Sequence, residues 1–310
     1  MKRTWVYYFA ASVLILAGCA PELASPAITV APPLPTARPD PESRKVDPSG
    51  AIFNVAEFID EKRGYALGNV AGYAAGATMW TGDGGTTWSY NDLILTGCVQ
   101  FCDVHGLDVV DEDLIWAGTD YSSVYYSIDA GKVWNRVTDP GPAATTFPFI
   151  SFINARQGWV GYPSEIFSTD DGGTTWTRLT LPDGVKEVAA IDRPTAADGY
   201  LLDSAGRLHT TTDSGATWSR RDLALGKAVL VNIELPNAAM RFPDREHGVI
   251  VLGLADDGGK VRLLRTADGG ATWEQTVLPV AMGSLRLSND GSILTRVQSL
   301  DLTIIALGGI

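Results

Sequence analysis

Cysteine and histidine side chains are the first candidates for chemistry in this chain, because thiols and imidazoles form disulfides or bind metal ions. The chain of 310 residues contains three cysteines and three histidines. Cys98 and Cys102 are four positions apart, and His105 follows them closely. A zinc site needs four ligands, and no second ligand pair accompanies these residues. We therefore expect no metal site and, in an oxidising compartment, a disulfide between Cys98 and Cys102. Metal binding by this trio is the alternative.

No motif singles out a catalytic residue. The sequence contains no nucleophile elbow, zinc-binding helix motif, phosphate-binding loop or dinucleotide fingerprint, and we expect no cofactor. Acidic residues number 36 against 24 basic ones, which gives a formal net charge of −12. Carboxylate pairs for glycoside hydrolysis depend on spacing in the fold, which the sequence does not define. The acidic balance argues against nucleic acid, and against direct electrostatic adhesion to anionic lipid.

An eight-residue box, [Ser/Thr]-x-Asp-x-Gly-x-x-Trp, occurs five times, at 81–88, 127–134, 169–176, 211–218 and 266–273. The box aspartates are 46, 42, 42 and 55 residues apart, which is the period of a four-stranded propeller blade. We expect the aspartate to accept turn amides, the glycine to adopt a positive φ and the tryptophan to be buried. These structural residues are Asp83, Gly85, Trp88, Asp129, Gly131, Trp134, Asp171, Gly173, Trp176, Asp213, Gly215, Trp218, Asp268, Gly270 and Trp273.

A second signature precedes the boxes and completes the blade. Phe58-x-Asp60-x-x-x-Gly64-Tyr65 recurs as Phe152-x-Asn154-x-x-x-Gly158-Trp159 and as Phe242-x-Asp244-x-x-x-Gly248. Each copy is typical of an inner strand, a tight polar turn and a second apolar strand. The predicted fold is therefore all-β: residues 51–310 form a β-propeller of four-stranded blades. Five boxed units and a remainder without a box favour six blades, with seven as the alternative. We expect a strand from near residue 50 to pair with C-terminal strands and close the ring.

The first 50 residues precede this domain. Lys2 and Arg3 are followed by the uncharged stretch 4–16 and by Leu16-Ala17-Gly18-Cys19, which resembles the signal and lipobox of bacterial lipoproteins. That resemblance implies a signal peptide over 1–18, a lipid on Cys19 and an extracytoplasmic location, on the periplasmic side or the cell surface. An uncleaved signal anchor is the alternative. Residues 19–50 are then a linker, and eight prolines in 20–50 indicate that it is extended.

Together the two signatures resemble the Asp-box, or BNR, repeat over essentially all of 51–310. Such boxes occur in sialidases, in other glycoside hydrolases, in sortilin-type receptors and in photosystem II assembly and stability factors. The combination of Phe-x-Asp-x-x-x-Gly-[Tyr/Trp] with Thr-x-Asp-Gly-Gly-x-Thr-Trp is most similar to the last family, which is usually seven-bladed. That resemblance implies a non-enzymatic, lipid-anchored propeller that binds or helps assemble another protein, such as a membrane complex. We expect the protein to be a monomer.

A sialidase-like or other glycan-cleaving enzyme is the alternative. A sialidase resemblance would imply three arginines around a substrate carboxylate, a tyrosine nucleophile and an early Arg-Ile-Pro segment. That tripeptide is absent, and the nearest string, Arg241-Phe242-Pro243, falls in the fifth repeat. We also find no motif that transfers partner-binding residues from the assembly factors.

The turns of a propeller divide between two faces. First-to-second and third-to-fourth strand turns lie on one face, which we call the box face, and the remaining loops form the opposite face. On the opposite face we place a candidate binding set: Asp120, Tyr121, Glu165, Asp203, Asp256 and Asp257. These acids could hold a cation or a basic peptide, and solvated loop acids are the alternative.

Four arginines follow inner strands on the box face: Arg63, Arg156, Arg193 and Arg245. We expect them to pair locally with Asp60, Asp192, Asp244 and Glu246. A basic arc along the face is the alternative.

Overall fold

The computed structural model describes residues 44–46, 48–71, 76–97, 103–119, 123–141, 148–223, 225, 238–254, 257–281, 283–298 and 301–307. All of them belong to the unit Thr36–Ile310. These residues form β-strands and turns, and they include a 3-10 turn at Pro48–Gly50. No helix in the described part of the chain is long and apolar enough to span a membrane.

Six antiparallel sheets form the blades of a β-propeller, so the expected fold class and the count of six blades are confirmed. Blade 1 contains β1 (Arg44–Val46), β2 (Ala51–Phe58), β3 (Gly64–Val70), β4 (Gly76–Thr81) and β5 (Trp88–Asp92). Blade 2 contains β6 (Val104–Val109), β7 (Ile115–Thr119), β8 (Val124–Ser127) and β9 (Asn135–Arg136). Blade 3 contains β10 (Phe149–Phe152), β11 (Gly158–Tyr162), β12 (Glu165–Thr169) and β13 (Thr177–Leu179).

The second half of the ring repeats this pattern. Blade 4 contains β14 (Val188–Asp192), β15 (Gly199–Asp203), β16 (Arg207–Thr211) and β17 (Ser219–Asp222). Blade 5 contains β18 (Ala238–Arg241), β19 (Gly248–Gly253), β20 (Lys260–Thr266) and β21 (Glu274–Ala281). Blade 6 contains β22 (Ser284–Leu287), β23 (Ile293–Gln298) and β24 (Asp301–Ala306). The strands of each blade pair in chain order, except that β1 of blade 1 pairs with β5 at the outer edge. The first full strand of each blade lies nearest the axis.

Ring closure differs from the prediction. The strand β1, just before residue 50, pairs with β5 on the outside of blade 1, and among the described residues no strand from this region joins the C-terminal sheet. Blade 6 instead packs face to face against β2, which already pairs with β3. One hydrogen bond crosses the seam, from Thr295 Oγ1 to the Ala56 carbonyl at 2.6 Å. The ring is therefore closed by side-chain packing, as it is between its other blades.

The five boxes form one type of turn between the third and fourth strands. In blade 1, Thr81 Oγ1 donates to Asp83 Oδ1 at 2.8 Å and accepts the amide of Gly85 at 2.9 Å. Asp83 Oδ1 also accepts the amide of Thr87 at 2.8 Å. The same three bonds recur in the other four boxes. The hydroxyl of the serine or threonine donates to the aspartate, and both side chains accept backbone amides of the turn. The turn therefore explains why the pattern requires both residue types.

The box glycine has two roles. In all five boxes its φ lies between 76° and 88°, in the left-handed region. It also lies close to the preceding blade: a Cβ on Gly173 would be 2.8 Å from Val137 of blade 2, and one on Gly215 would be 2.8 Å from Leu179 of blade 3. A Cβ on Gly85 would lie 2.7 Å from Ile304 of blade 6, across the closing seam. A larger residue would therefore push neighbouring blades apart.

The box tryptophans also join neighbouring blades. The indole N–H of Trp134 donates to Thr78 Oγ1 of blade 1 at 3.0 Å, and that of Trp176 donates to the Thr138 carbonyl of blade 2 at 2.7 Å. Trp88 and Trp134 are buried, as expected. Trp176, Trp218 and Trp273 are only partly buried, which corrects the expectation, because the outer strands of blades 3 to 5 are largely exposed.

The second signature is explained by aromatic packing. The ring of Phe58 lies against the backbone of Gly64, where a Cβ would be 2.7 Å from the ring, and Phe152 and Phe242 occupy the same place in their blades. Two of these phenylalanine rings also stack on an aromatic side chain of the preceding blade. Phe152 stacks on Trp116 of blade 2, and Phe242 stacks on Tyr200 of blade 4, each with 3.6 Å between ring centroids. The phenylalanine therefore requires the glycine and joins two blades.

Residue Ala130 provides a test of the box turn. It occupies the position of Gly84 and Gly172 and has a φ of 61°, which costs an L-residue about 1–2 kcal/mol. We expect Ala130→Gly to raise the free energy of unfolding by roughly 0.5–1 kcal/mol. The matched reverse change, Gly172→Ala, should lower it, because φ is 71° and the new Cβ would lie 2.8 Å from the Ala155 carbonyl. Urea unfolding measures both changes in the free energy of unfolding. Changes in the same direction would contradict this explanation of the box turn.

Candidate functional site

A ring of polar side chains lies at the centre of the propeller. The inner strands of all six blades contribute one member each: Glu57, Asp108, Ser151, Asp192, Arg241 and Arg286. The neighbouring positions on these strands are largely buried and apolar. Polar groups at such positions must find partners within the protein, because burying an unpaired charge is costly. We call these six residues the central ring.

Arg241 is the hub of the central ring. One of its terminal nitrogens lies 2.9 Å from Glu57 Oε1 of blade 1 and 2.7 Å from Asp108 Oδ1 of blade 2. The other lies 3.2 Å from Asp192 Oδ1 of blade 4. A single guanidinium on blade 5 thus binds carboxylates from three other blades.

The carboxylates of the central ring also bind backbone amides of the next blade. Asp108 Oδ2 accepts the amide of Phe152 at 2.5 Å, and Asp192 Oδ2 accepts the amide of Phe242 at 2.7 Å. Glu57 Oε1 accepts the amide of Val109 at 3.2 Å. Blade 3 carries Ser151 at this position, and its hydroxyl oxygen accepts the amide of Arg193 at 2.9 Å. The inner strands of blades 1 to 5 are therefore linked in series.

Burial dominates the electrostatics of the ring. It raises the pKa of Glu57 to about 7, although the charge of Arg241 opposes the shift. It likewise raises the pKa of Asp192 to about 6. Burial lowers the pKa of Arg286 to about 10, whereas the three carboxylates more than offset it at Arg241 and raise that pKa well above its usual value. Arg241 is therefore the permanent positive charge that the acids surround.

A cavity of about 380 Å³ lies over the ring on the box face. Asp192, Arg193, Arg241 and Asp290 supply its charged groups. Its walls are apolar and comprise Val110, Phe152, Ile153, Pro194, Phe242 and Pro243. A second cavity, of about 40 Å³, is lined by residues further back along the inner strands, including Met240 and Arg286. The cavity over the central ring is the candidate binding site because of its position, and Arg241 lines both cavities.

Turns rich in acidic residues surround this cavity. The six first-to-second turns and the five boxes carry fifteen acidic side chains and six basic ones. We call these turns the acidic rim. Its acids are Asp60, Glu61, Asp83, Asp111, Glu112, Asp113, Asp129, Asp170, Asp171, Asp198, Asp213, Asp244, Glu246, Asp268 and Asp290, and its bases are Lys62, Arg63, Lys132, Arg156, Arg193 and Arg245.

The arginines that were expected to pair locally are bound, but not all by the expected acids. Arg63 pairs with Asp60 at 2.7 Å as expected, and also with Glu112 of the next blade. Arg193 lies 3.6 Å from Asp170 of the preceding blade instead of pairing with Asp192, whose carboxylate is bound by Arg241.

The partners of the other two arginines also differ from the prediction. Arg245 pairs with Asp198 of the preceding blade at 2.9 Å, because Asp244 accepts amides of its own turn. Arg156 Nε donates to the Asp170 carbonyl at 3.4 Å. All four arginines thus have acceptors.

The candidate set on the opposite face is only partly within the described residues. Glu165 lies 3.0 Å from Arg178, Asp203 contacts Arg207 at 2.6 Å, and Asp257 contacts Arg262 at 2.6 Å. Each of these acids is paired within its own blade, and the structure does not gather the three into one cluster. Asp120, Tyr121, Asp256, Cys19, Cys98 and Cys102 lie outside the described residues. The described part of the chain contains no group of three or more potential metal ligands.

Sequence reasoning missed the central ring, although a signal was present. Glu57, Ser151 and Arg241 each stand immediately before the phenylalanine of the second signature, in otherwise apolar strands. A polar residue at one register of a buried repeat indicates a shared polar environment. Nothing local, however, indicates that Arg241 bonds to a carboxylate 184 positions away.

Comparison with known proteins supports the resemblance read from the sequence. A family model described as photosynthesis system II assembly factor YCF48 matches residues 104–221, which cover blades 2, 3 and 4. The chain resembles this family of assembly factors. The match includes Asp108, Ser151 and Asp192 of the central ring. No curated protein matches the sequence significantly.

Solved structures of similar architecture include enzymes. YCF48 bound to D1 peptide has 17% identity and a TM-score of 0.47, over 88% of this chain and 98% of that one. The GH74 enzyme of Niastella koreensis has 12% identity and a TM-score of 0.55, over 81% of this chain and 44% of that one. Virginiamycin B lyase from Staphylococcus aureus has 10% identity and a TM-score of 0.52, over 85% of this chain and 97% of that one. This chain spans less than half of the GH74 enzyme, and likeness at such identities shows the fold alone.

Removal of the hub should destabilise the whole propeller. Arg241→Gln leaves three buried carboxylates without their cation, and we expect the free energy of unfolding to fall by roughly 3–5 kcal/mol. The matched control is Arg245→Gln on the same blade. The Arg245 side chain is 68% exposed although it pairs with Asp198, so this change should have little effect on the free energy of unfolding. Urea unfolding of both variants measures the difference, and a similar small loss in each would contradict the role of Arg241.

The raised pKa of Glu57 predicts a specific pH dependence. Because the folded pKa of about 7 exceeds the ordinary value of 4.5, the contribution of Glu57 to stability is present below pH 4.5 and lost as the pH rises through 7. The glutamine side chain of the Glu57→Gln variant cannot ionise. Between pH 5 and 8 the wild type should therefore lose up to about 3 kcal/mol relative to the variant. Parallel curves of unfolding free energy against pH would contradict this assignment.

Proposed function

We propose that this protein is a non-catalytic, lipid-anchored, extracytoplasmic propeller that binds another protein and helps assemble it, with a membrane complex as the target. The observation that carries the proposal is the match of blades 2 to 4 to an assembly-factor family. The cavity on the box face supports it, because a rigid concave surface is suited to holding a partner. The proposal requires no metal or cofactor.

The state of the arginines favours binding over catalysis. A site that grips a substrate carboxylate needs guanidinium groups that are free to contact it. Arg241 already binds three carboxylates, and Arg193 donates to the carbonyls of Gly158 and Ala196. Recruitment of either group to a substrate would break bonds that hold blades or turns together. The central ring is better suited to fixing the geometry of the surface above it.

The anchor and the location follow from the first 50 residues. Lipid on Cys19 would attach the chain to the membrane, and the proline-rich linker would separate the propeller from the lipid surface. The net charge of −12 disfavours direct adhesion to anionic lipid and to nucleic acid. We therefore place the membrane contact in the anchor and the protein contact on the propeller, which acts as a monomer.

Capture of partners from membranes tests this proposal. The full chain with a C-terminal tag is purified from detergent-solubilised membranes, and co-purifying proteins are identified by mass spectrometry. We expect one stoichiometric membrane-protein partner. The control is Cys19→Ser, which should move the chain to the soluble fraction while its propeller still folds. Retention of this variant in the membrane would contradict the lipid anchor, and absence of any partner would contradict the assembly role.

A glycan-cleaving enzyme is the second candidate, and one observation favours it. Glu57 and Asp192 have pKa values raised to about 7 and about 6, the range in which a carboxyl group can donate a proton. Against it, the side chains of Glu57 and Asp192 are only 1% and 4% exposed and are bound to Arg241. The same purified protein is assayed on fluorogenic sialosides and a glycan panel. Robust turnover that is lost in Asp192→Asn would overturn the non-catalytic proposal.

A further inference from the structure

We propose that the cavity on the box face binds an extended peptide segment of the partner through a lysine or arginine side chain. This inference rests on the proposed binding function and specifies the chemistry of the partner. Its basis is the combination of the acidic rim, the apolar cavity walls and the exposed carboxylate of Asp290 among the lining residues. Each of these features matches one part of such a peptide.

The acidic rim supplies charge complementarity. Fifteen acids against six bases on the turns around the cavity create a strongly negative surface. Such a surface attracts cationic segments and repels anionic ones. Three of the rim acids, Glu61, Asp113 and Glu246, are exposed and lie at first-to-second turns of three different blades. Their charges are therefore directed to solvent from several sides of the opening.

The cavity itself suits a long amphipathic side chain. Its volume of about 380 Å³ lies near the lower end for ligand pockets, so it can hold a side chain together with its local backbone. The walls formed by Phe152, Ile153 and Phe242 can cover the methylene stem of a lysine or arginine. The carboxylate of Asp290 is exposed among the lining residues and can receive the cationic head.

The second arginine of the lining, Arg193, is bound by the protein itself. Arg193 lines the cavity, and its side chain is only 2% exposed. Its Nε–H has no acceptor among the described residues, whereas its terminal nitrogens donate to carbonyls. Because this guanidinium is buried and lies 3.6 Å from Asp170, it supplies no free positive charge to the cavity.

An anionic ligand is less favourable at this site. The guanidinium of Arg241, the strongest positive group of the floor, is surrounded by Glu57, Asp108 and Asp192. An incoming carboxylate would have to displace one of these acids and also approach through the acidic rim. Both steps oppose binding.

The test uses the full chain and defined peptide probes. Fluorescence anisotropy is measured with a labelled ten-residue peptide that alternates lysine with serine, and with matched glutamine and glutamate peptides. We expect the lysine peptide to bind, the other two to bind at least about tenfold more weakly, and the affinity of the lysine peptide to fall as salt rises. Stronger binding of the glutamate peptide, or equal binding of all three, would overturn the proposal.

Two sets of variants locate the site. Glu61→Lys, Asp113→Lys and Glu246→Lys combined should weaken binding by about tenfold or more. The matched control reverses Asp103, Asp183 and Glu187, which lie towards the opposite face, and should change affinity less than about threefold. Ile153→Trp fills the cavity and should also abolish binding, with urea unfolding confirming that each variant is folded.

Three outcomes would contradict this location. Equal losses from the two triple variants would indicate non-specific attraction to the net charge. Unchanged affinity in Ile153→Trp would exclude the cavity. Sedimentation that shows self-association through the box face would identify a second copy as its occupant. Capture of a membrane partner without lysine-peptide binding would overturn this inference and leave the proposed function standing.

Discussion

A guanidinium buried at the axis is the constraint on which this propeller depends. Arg241 can remain charged there only if acceptors surround it, and three blades supply Glu57, Asp108 and Asp192 for that purpose. Burial of these carboxylates would be energetically costly without the ion pairs to Arg241 and the hydrogen bonds from backbone amides of the next blade. The charges of the ring are therefore interdependent, and the blades that carry them are fixed in one relative arrangement. This rigidity gives the box face a constant shape, which is what a binding surface requires.

Contacts between neighbouring blades complete the structure from the outside. The box glycine allows close approach to the preceding blade, and the box tryptophan donates a hydrogen bond to that blade in blades 2, 3 and 4. The phenylalanine beside the central ring stacks on an aromatic residue of the blade before it at two of the boundaries. Each repeat therefore carries the residues that join it to its neighbour, as expected for a repeat fold with nearest-neighbour contacts. The closing seam between blades 6 and 1 uses the same side-chain packing, with Ile304 against Gly85.

Local features of this fold could be predicted from the sequence, whereas its long-range pairings could not. The box and the Phe-to-Gly signature are determined by bonds within a few residues, so their spacing was sufficient to predict six blades and the positions of the turns. The partners of Arg193 and Arg245 lie in the preceding blade, and they were predicted wrongly because the nearest acids in sequence are engaged elsewhere. Ring closure was predicted wrongly for a similar reason, since β1 finds an open edge on β5 of its own blade. The central ring depends on carboxylates from the inner strands of three other blades meeting Arg241 at the axis, and that meeting has no local signal.

We propose that the propeller acts as a scaffold whose binding surface is the box face. Site-specific photo-crosslinking in intact cells tests it most directly, with the crosslinker placed at Asp113 on the box face or at Asp183 towards the opposite face. Both positions are exposed, so neither should disturb folding. If the box face is the binding surface, we expect a discrete protein adduct from position 113 and none from position 183. An adduct from position 183 alone would contradict it.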